Sequence, residues 1–210
     1  MFEPIRQLDV EARRLELAQQ NFRELGRYLK LKSSLFEPIR QLDVEARRLE
    51  LAQQNGRVVA ALNAAKEIIL HRVGNGRPGS KVSRYLKLYF LAQDIHERAS
   101  SSHYPYNALT EAFFHSDVLF RCQRLLRQQG KACQTLAESI QLRQPFIYDD
   151  SFAQALGDLK RVLGAPAHPE QPSLAWPAAF TSSLGGQTCP PSTACWARQQ
   201  PRCPGGRHRQ

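Results

Sequence analysis

Phe2–Asn21 reads FEPIRQLDVEARRLELAQQN, and the same twenty letters return unchanged at Phe36–Asn55. In the first copy Ile5, Leu8, Ala12 and Leu15 recur at three- and four-residue steps. Phe22, Leu25 and Leu29 carry the stripe onward, and Glu and Arg fill the other face. That spacing is the period of an amphipathic helix. In the second copy Pro38 stands near a helix start, where a missing N–H costs nothing, and the pattern runs on through Val58, Leu62, Ala65 and Ile69. Two long helices joined by a short connection predict a helical hairpin. The offset of 34 residues equals the period of a two-helix repeat array. Structural repeats, however, keep core positions and let the surface drift, whereas this pair keeps every residue and then diverges at once, Phe22 against Gly56. A recent tandem duplication in the gene, or an assembly error, explains identity better. Met1 occupies the place that Leu35 holds in the second copy, so the natural start is expected upstream of residue 1.

Further along, Gly74 to Ser80 stacks Gly and Pro where neither helix nor strand accepts them, which predicts a loop. A helix opens after Ser80 with Tyr85, Tyr89, Ala92 and Ile95 toward a core and Arg84, Lys87, Asp94 and Arg98 outside; Ser100 to Pro105 breaks it. Leu109, Ala112, Phe113, Leu119 and Leu126 predict a helix from Tyr106 to Gln129, ended by Gly130 as a C-cap. Two shorter helices, Lys131–Leu142 and Ser151–Leu163, are separated by Pro145. Strand signals are weak throughout. The expected fold class is all-α, built from antiparallel helical hairpins or a bundle, with a disordered tail rich in Pro, Gly and Arg. After Lys160 periodicity vanishes and Pro, Gly, Cys, Trp and Arg rise, as in a low-complexity tail or a shifted reading frame. The expected organisation is a duplicated segment at 1–21, a helical domain at 22–163 and an irregular tail at 164–210.

Of 210 residues, 42% are apolar and 23% charged, close to globular averages, so the middle of the chain should fold. The net charge is +10, of which residues 161–210 carry +4. Such a balance suits phosphate backbones, anionic lipid headgroups or the cytoplasmic side of a membrane protein, and does not choose among them. Five cysteines without a C-x-x-C pair, and no secretory leader after Met1, read as reduced thiols. No stretch of roughly 20 apolar residues is present; the uncharged run Gln171–Ala197 is broken by Pro172, Pro177, Pro190 and Pro191.

The richest collection of chemically capable side chains is Asp94-Ile95-His96-Glu97-Arg98-Ala99-Ser100-Ser101-Ser102-His103. A His polarised by a carboxylate could activate a serine or bind a metal. His96 and His103 are seven apart, not the i, i+4 of a helical zinc pair, and His115 and Asp117 add no ligand spacing. Structural roles are expected: helix packing for the histidines and a serine-rich cap for the following helix. No catalytic, metal or cofactor-binding residue is therefore expected. Cys122 and Cys133 read as buried small hydrophobes. Gly74 to Lys81 lacks the strand and the G-K-[ST] ending of a phosphate-binding loop. Arg121, Arg124 and Arg127 form a basic stripe that reads as a solvated face and, as an alternative, as an adaptor surface for nucleic acid or anionic membrane.

The strings YFLAQDIHERASSSHYPYNAL at Tyr89–Leu109, HSDVLFRCQRLLRQQGKAC at His115–Cys133, LRQPF at Leu142–Phe146 and RYLKLKSSLFEP at Arg27–Pro38 resemble the cytoplasmic region of the YccS/YhfK family, in the wider fusaric-acid-resistance-like (FUSC) superfamily. The resemblance covers Phe22 to Leu159. It implies a parent with two sets of inner-membrane helices and a soluble helical section between them, associated with efflux and not with enzymatic catalysis. It assigns no role to Asp94, His96, Glu97, Arg98, Ser100, Ser101, Ser102, His103, His115 and Asp117, which stand as a family signature. The partners it implies are the membrane half of the parent or sister subunits, homo-oligomers included; nucleic acid is not expected and no small-molecule ligand is identifiable. The segment is expected on the cytoplasmic side of a bacterial inner membrane, and the chain is expected to be a fragment of the parent, since both ends depart from the family's pattern.

Overall fold

The computed structural model describes residues 3–37, 41–70, 80–101, 106–147, 149 and 151–164. The loop at 74–79, Ser102 to Pro105, and the expected disordered or frame-shifted tail beyond Gly164 lie outside these. Among the described residues the protein is all-α, as expected, with no strand. The helices are α1 (Glu3–Ser33), α2 (Gln41–Leu70), α3 (Ser80–Ser101), α4 (Tyr106–Phe113), α5 (Val118–Leu142) and α6 (Ser151–Gly164), with a 3₁₀ turn at Ser34–Phe36 between the first two.

The predicted hairpin is α1 with α2. Their connection is anchored by Leu35 and Phe36, both buried, and by Arg47, whose guanidinium donates to the Ser34 carbonyl and to Glu37 Oε2, each at 2.9 Å. Gln123 of α5 donates to the other Glu37 oxygen, tying the turn to the bundle. α1 is the hub, packing on α5, α2 and α3. From Asn21 to Ser33 it is enclosed on most of its circumference: Phe22, Leu25, Tyr28 and Leu29 are buried as the stripe predicts, and so are Asn21, Glu24 and Lys32. Ala12, placed on the inward stripe by its spacing, is exposed, while Glu11, Arg14 and Leu15 beside it are partly buried. The junction between residues 21 and 22 lies inside this one continuous helix.

The two identical copies take different environments. Leu17 and Ala18 are buried while their counterparts are half-buried Leu51 and exposed Ala52; Gln20 is exposed while Gln54 is buried. Leu15 is partly buried, but Leu49 is 62% exposed. From Gln7 and Gln41 onward both copies are helical, since the local pattern is the same; ahead of that Glu3 is helical and its twin Glu37 is extended after the 3₁₀ turn. What differs is the following stretch, Phe22-Leu25-Leu29 in α1 and Val58-Leu62-Ala65-Ile69 in α2, which sets the rotation at which each helix meets its neighbours.

Two sequence expectations are corrected between Tyr106 and Leu142. The single helix Tyr106–Gln129 is interrupted: α4 ends at Phe113, Ser116 N–H closes a turn on the Phe113 carbonyl at 3.0 Å, and α5 starts at Val118. Ser116 Oγ also donates to the Phe113 carbonyl at 3.0 Å, the local side-chain bond through which serine competes with helical backbone. Gly130, conversely, is not a C-cap but the middle of α5. It faces Gly26 of α1, and the absence of side chains at both lets the two backbones meet. A Cβ on Gly130 would stand 2.8 Å from the Gly26 carbonyl oxygen, and one on Gly26 would stand 2.7 Å from the Gly130 oxygen. Lys30 and Gln134 join across the same crossing. The true end of α5 is at Arg143, left-handed at φ 53°, with its N–H on the Ile140 carbonyl and the Gln144 N–H on the Ser139 carbonyl. That is the six-to-one, five-to-two bonding of a Schellman motif, with arginine where glycine is usual. Phe152, Leu156 and Leu159 then seat α6 on α5.

Candidate functional site

α3 carries most of the signature, and its inward residues are those the spacing predicts: Tyr85, Tyr89, Ala92 and Ile95 are buried, with Leu88 and Ala99. Lys87, Asp94 and Arg98 are exposed; Arg84 is partly buried.

His96 is the signature residue that reaches across the bundle. Its Nε2 lies 2.7 Å from Asn55 Oδ1 on α2, and its ring meets Tyr28 of α1 edge-on at 5.9 Å between centroids. One imidazole therefore links three helices. Burial lowers its pKa, with Glu97 opposing, which favours the neutral ring. A neutral ring facing an amide oxygen donates from Nε2. One turn further along α3, the buried Lys32 of α1 donates its ammonium to the Ala99 carbonyl, satisfying one acceptor at the helix C-terminus. Burial pushes the Lys32 pKa down to about 8 and the Tyr28 pKa up to about 12. On the α1–α2 side, Gln54 donates to Glu24 through both the backbone carbonyl (3.0 Å) and the carboxylate (2.7 Å), and Arg27 closes on the same carboxylate at 2.8 Å.

The remaining signature residues bond locally. Asp94 pairs with Arg98 at 2.9 Å, Glu97 accepts from Gln93 at 2.7 Å, and both acids are exposed. Ser100 and Ser101 donate back to the Glu97 and Arg98 carbonyls, each at 3.2 Å. They finish α3 and do not cap the next helix as the sequence suggests. His115 lies exposed in the turn before α5, edge-on to Phe114, and Asp117 pairs with Arg121 at 2.6 Å, which holds its carboxyl below the usual carboxylate range. Ser102 and His103 lie outside the described residues. The structure thus gathers His96 with Asn55, Tyr28 and nearby Lys32, and leaves His115 and Asp117 on a different turn.

Chemically this is a bracing layer. The His96 bond runs to an amide, not to a serine, and Ser100 and Ser101 bond to carbonyls, so no nucleophile–base pair forms among the described residues. No group of three or more His, Cys, Asp or Glu is placed to hold a metal ion among them. Cys122 and Cys133 are buried, and burial raises the Cys122 thiol to about 12, which keeps it protonated and inert.

Residues that sequence reasoning passed over carry much of this layer. Lys32 continues the stripe Phe22, Leu25, Leu29, and Gln129 sits on the α5 stripe between Leu126 and Cys133. A polar residue in an apolar register was the available signal. A cavity of about 300 Å³ opens beside Gln129, walled by α1, α3, α5 and the connection into α6.

The family described as FUSC-like inner membrane protein yccS matches residues 12–181. The chain is 46% identical to Inner membrane protein YccS of Escherichia coli (strain K12) over 152 residues, which is 70% of this chain and 21% of that protein. It is 35% identical over 141 residues, 67% of this chain and 20% of the other, to an uncharacterized protein of Haemophilus influenzae. The chain thus spans about a fifth of the length of these curated relatives. No solved structure matches it.

Proposed function

The chain belongs to the FUSC-like family of YccS-type inner membrane proteins, and from that premise we propose that residues 12–164 act as the cytoplasmic-side helical module of such a protein, working through contacts with its membrane-embedded part or with sister subunits. In this reading the parent exports small molecules, the membrane-embedded part carries the path, and this module serves assembly. Among the described residues no helix is long and apolar enough to cross a membrane. The observation that carries the reading is a set of large apolar side chains left in solvent, Leu49, Phe90, Phe120 and Leu142 on helices whose other faces are packed and Ile147 on the connection into α6, each more than half exposed. Where such side chains lie together they mark interaction sites. In a full-length family member, a cysteine at the position matching the exposed Asn63 of α2 should react with a membrane-impermeant maleimide in inside-out vesicles and not in spheroplasts. Labelling in intact spheroplasts refutes the sidedness.

A second reading has its own observation. Phe120, Arg124, Arg127 and Lys131 follow one another at i, i+4, i+7 and i+11 along α5, and all are exposed, while Arg121 is engaged by Asp117. A basic stripe ending in an aromatic ring suits an anionic bilayer surface. Binding to phosphatidylglycerol vesicles that weakens with added salt, is absent for phosphatidylcholine, and is lost in Arg124→Glu/Arg127→Glu supports it; equal binding to duplex DNA would point to a general polyanion surface instead.

A further inference from the structure

Where α1 and α5 cross, the two helices present the same pattern. α1 reads Arg23-Glu24-Leu25-Gly26-Arg27-Tyr28-Leu29-Lys30, and α5 reads Arg127-Gln128-Gln129-Gly130-Lys131-Ala132-Cys133-Gln134. Each glycine has a long polar side chain three residues before it, a cation one residue after it and another long polar side chain four after it. In an α-helix those three positions fall on one flank of the glycine, about 40–100° round the axis. α1 and α5 run antiparallel, since Gln19 donates to Gln141 at 2.6 Å near one end and Glu37, just past α1, accepts from Gln123 near the other. Turning one antiparallel helix onto its partner keeps like flanks on the same side, and the bond from Lys30 to Gln134 joins those two flanks. Arg23, Arg27 and Lys30 of α1 therefore share a side with Arg127 and Lys131 of α5, and Arg124 stands one turn before Arg127. The glycine contact draws the helices together, so the two rows make one surface. Arg23 is partly buried and the other five are exposed. Glu24 holds Arg27, whereas Arg23, Arg124, Arg127 and Lys131 have no ion pair among the described residues. Glu16 and Glu138 share this side but lie about 15 and 12 Å along their helices from the crossing, and Asp149 borders Lys131 from the connection into α6.

We infer that this two-helix basic face lies flat against an anionic phospholipid bilayer, with Arg23 and Lys30 of α1 sharing the headgroup contacts of Arg124, Arg127 and Lys131 of α5. Resting on the bilayer reading of the α5 stripe, this adds a second row from α1 and sets both helix axes in the plane of the membrane. Each row is about 10 Å long, close to the distance over which salt screens a charge, so the two rows act on the same headgroups. Each Lys or Arg at an anionic leaflet is worth about fivefold in binding. Two helices side by side form a surface without a cleft, which meets a plane better than it meets a strand. Phe120, 62% exposed on the same flank of α5, supplies an aromatic ring that can enter the headgroup layer and that a phosphate backbone does not need.

The test is co-sedimentation of the full chain with vesicles of equal parts phosphatidylglycerol and phosphatidylcholine, circular dichroism verifying the helices of each variant. Arg23→Gln/Lys30→Gln, which removes two charges from α1, should weaken binding at least tenfold. Arg23→Lys/Lys30→Arg keeps the charges and should bind within twofold of the unaltered chain, which separates lost charge from a disturbed crossing and serves if the glutamine pair does not fold. Lys66→Gln/Lys160→Gln removes the same charge from exposed sites on α2 and α6 and should also stay within twofold. Loss of binding in Arg124→Glu/Arg127→Glu with Arg23→Gln/Lys30→Gln unaffected would overturn the two-helix face and leave the α5 stripe standing. No binding of the unaltered chain to these vesicles would remove both. An equal loss in the Lys66/Lys160 pair would mean that net charge acts and not this face, and duplex DNA bound as tightly as the vesicles would replace the bilayer by polyanions in general.

Discussion

Alanine at Gly130 should destabilise the protein although alanine is the better helix former, and the size of the effect follows from the α1–α5 crossing. The added methyl would lie 2.8 Å from the Gly26 carbonyl oxygen and 2.9 Å from Lys30 Cγ, against 3.4 Å for an ordinary contact, so the helices must part by about 0.6 Å. Lys30 Cγ can swing aside; a backbone carbonyl held in α1 cannot. Overpacking of this kind costs about 1–3 kcal/mol, with the upper half expected where backbone meets backbone. Replacing a mid-helix glycine recovers about 1 kcal/mol. The net expectation is a loss of about 1–2 kcal/mol. Gly26→Ala should behave alike, and the double substitution should cost less than the sum, because the crossing opens only once. Gly56 in α2 and Gly157 in α6 are internal controls: nothing lies within 4 Å of a Cβ at either, so alanine there should stabilise by about 0.5–1 kcal/mol. Urea unfolding of the full chain, followed by far-ultraviolet circular dichroism, measures all of these on one scale. If Gly130→Ala raises the midpoint as Gly56→Ala does, the close crossing is not there and Gly130 is only a tolerated glycine.

Lys32 predicts a pH dependence. Its folded pKa of about 8 lies below the ordinary 10.5, so the unfolded chain holds more protons between those values and stability rises with pH there. From pH 8 to 9.5 the Lys32 contribution should approach about 2 kcal/mol, partly offset by Cys122, whose thiol ionises there in the unfolded chain but not in the folded one; Lys32→Met should lower the slope, and an unchanged slope would remove the argument. His96, its pKa lowered by burial, makes the opposite limb: stability should fall as pH drops below its unfolded pKa of about 6.5. His96→Phe, which keeps a ring against Tyr28 and drops the Asn55 bond, should cost about 1 kcal/mol at neutral pH and make the acid limb shallower. Cys122, fully enclosed and with its thiol raised to about 12, should resist iodoacetamide until urea exposes it; labelling of Cys122 in the native protein at the unfolded rate contradicts that burial.

The helical character of nearly every described segment was legible from spacing alone, and so was the inward face of α3. Tyr85, Tyr89, Ala92 and Ile95 recur at helical steps, and burial is what that recurrence encodes. Misreadings arose where one residue type serves two ends. Gly130 carries the mark of a helix stop, and only the presence of Gly26 across the interface turns it into a packing residue. The stop at Leu142, by contrast, was expected from Pro145, and the structure ends α5 there, with Arg143 left-handed and Phe146 buried. In the signature, Ser100, Ser101 and the acids found partners within four residues, as local chemistry allows. The partners of His96 lie 41 and 68 positions away, and no local pattern announces them.

The duplicated twenty residues separate the two kinds of information most cleanly. By itself QLDVEARRLELAQQN determines a helix, because propensity and apolar period act over a few residues and are identical in both copies, whereas ahead of it Glu3 is helical and its twin Glu37 is extended. It does not determine which side chains the helix buries. Asn21 is enclosed with its Oδ1 unpartnered among the described residues, while its twin Asn55 reaches His96; Gln20 faces solvent, while its twin Gln54 holds Glu24. Burial is a property of the neighbours a helix meets, and those are set by residues far along the chain. The tertiary structure therefore decided the bracing layer at His96, the contact of Gly26 with Gly130, and the cavity walled by Phe22, Leu29, Leu136 and Phe152.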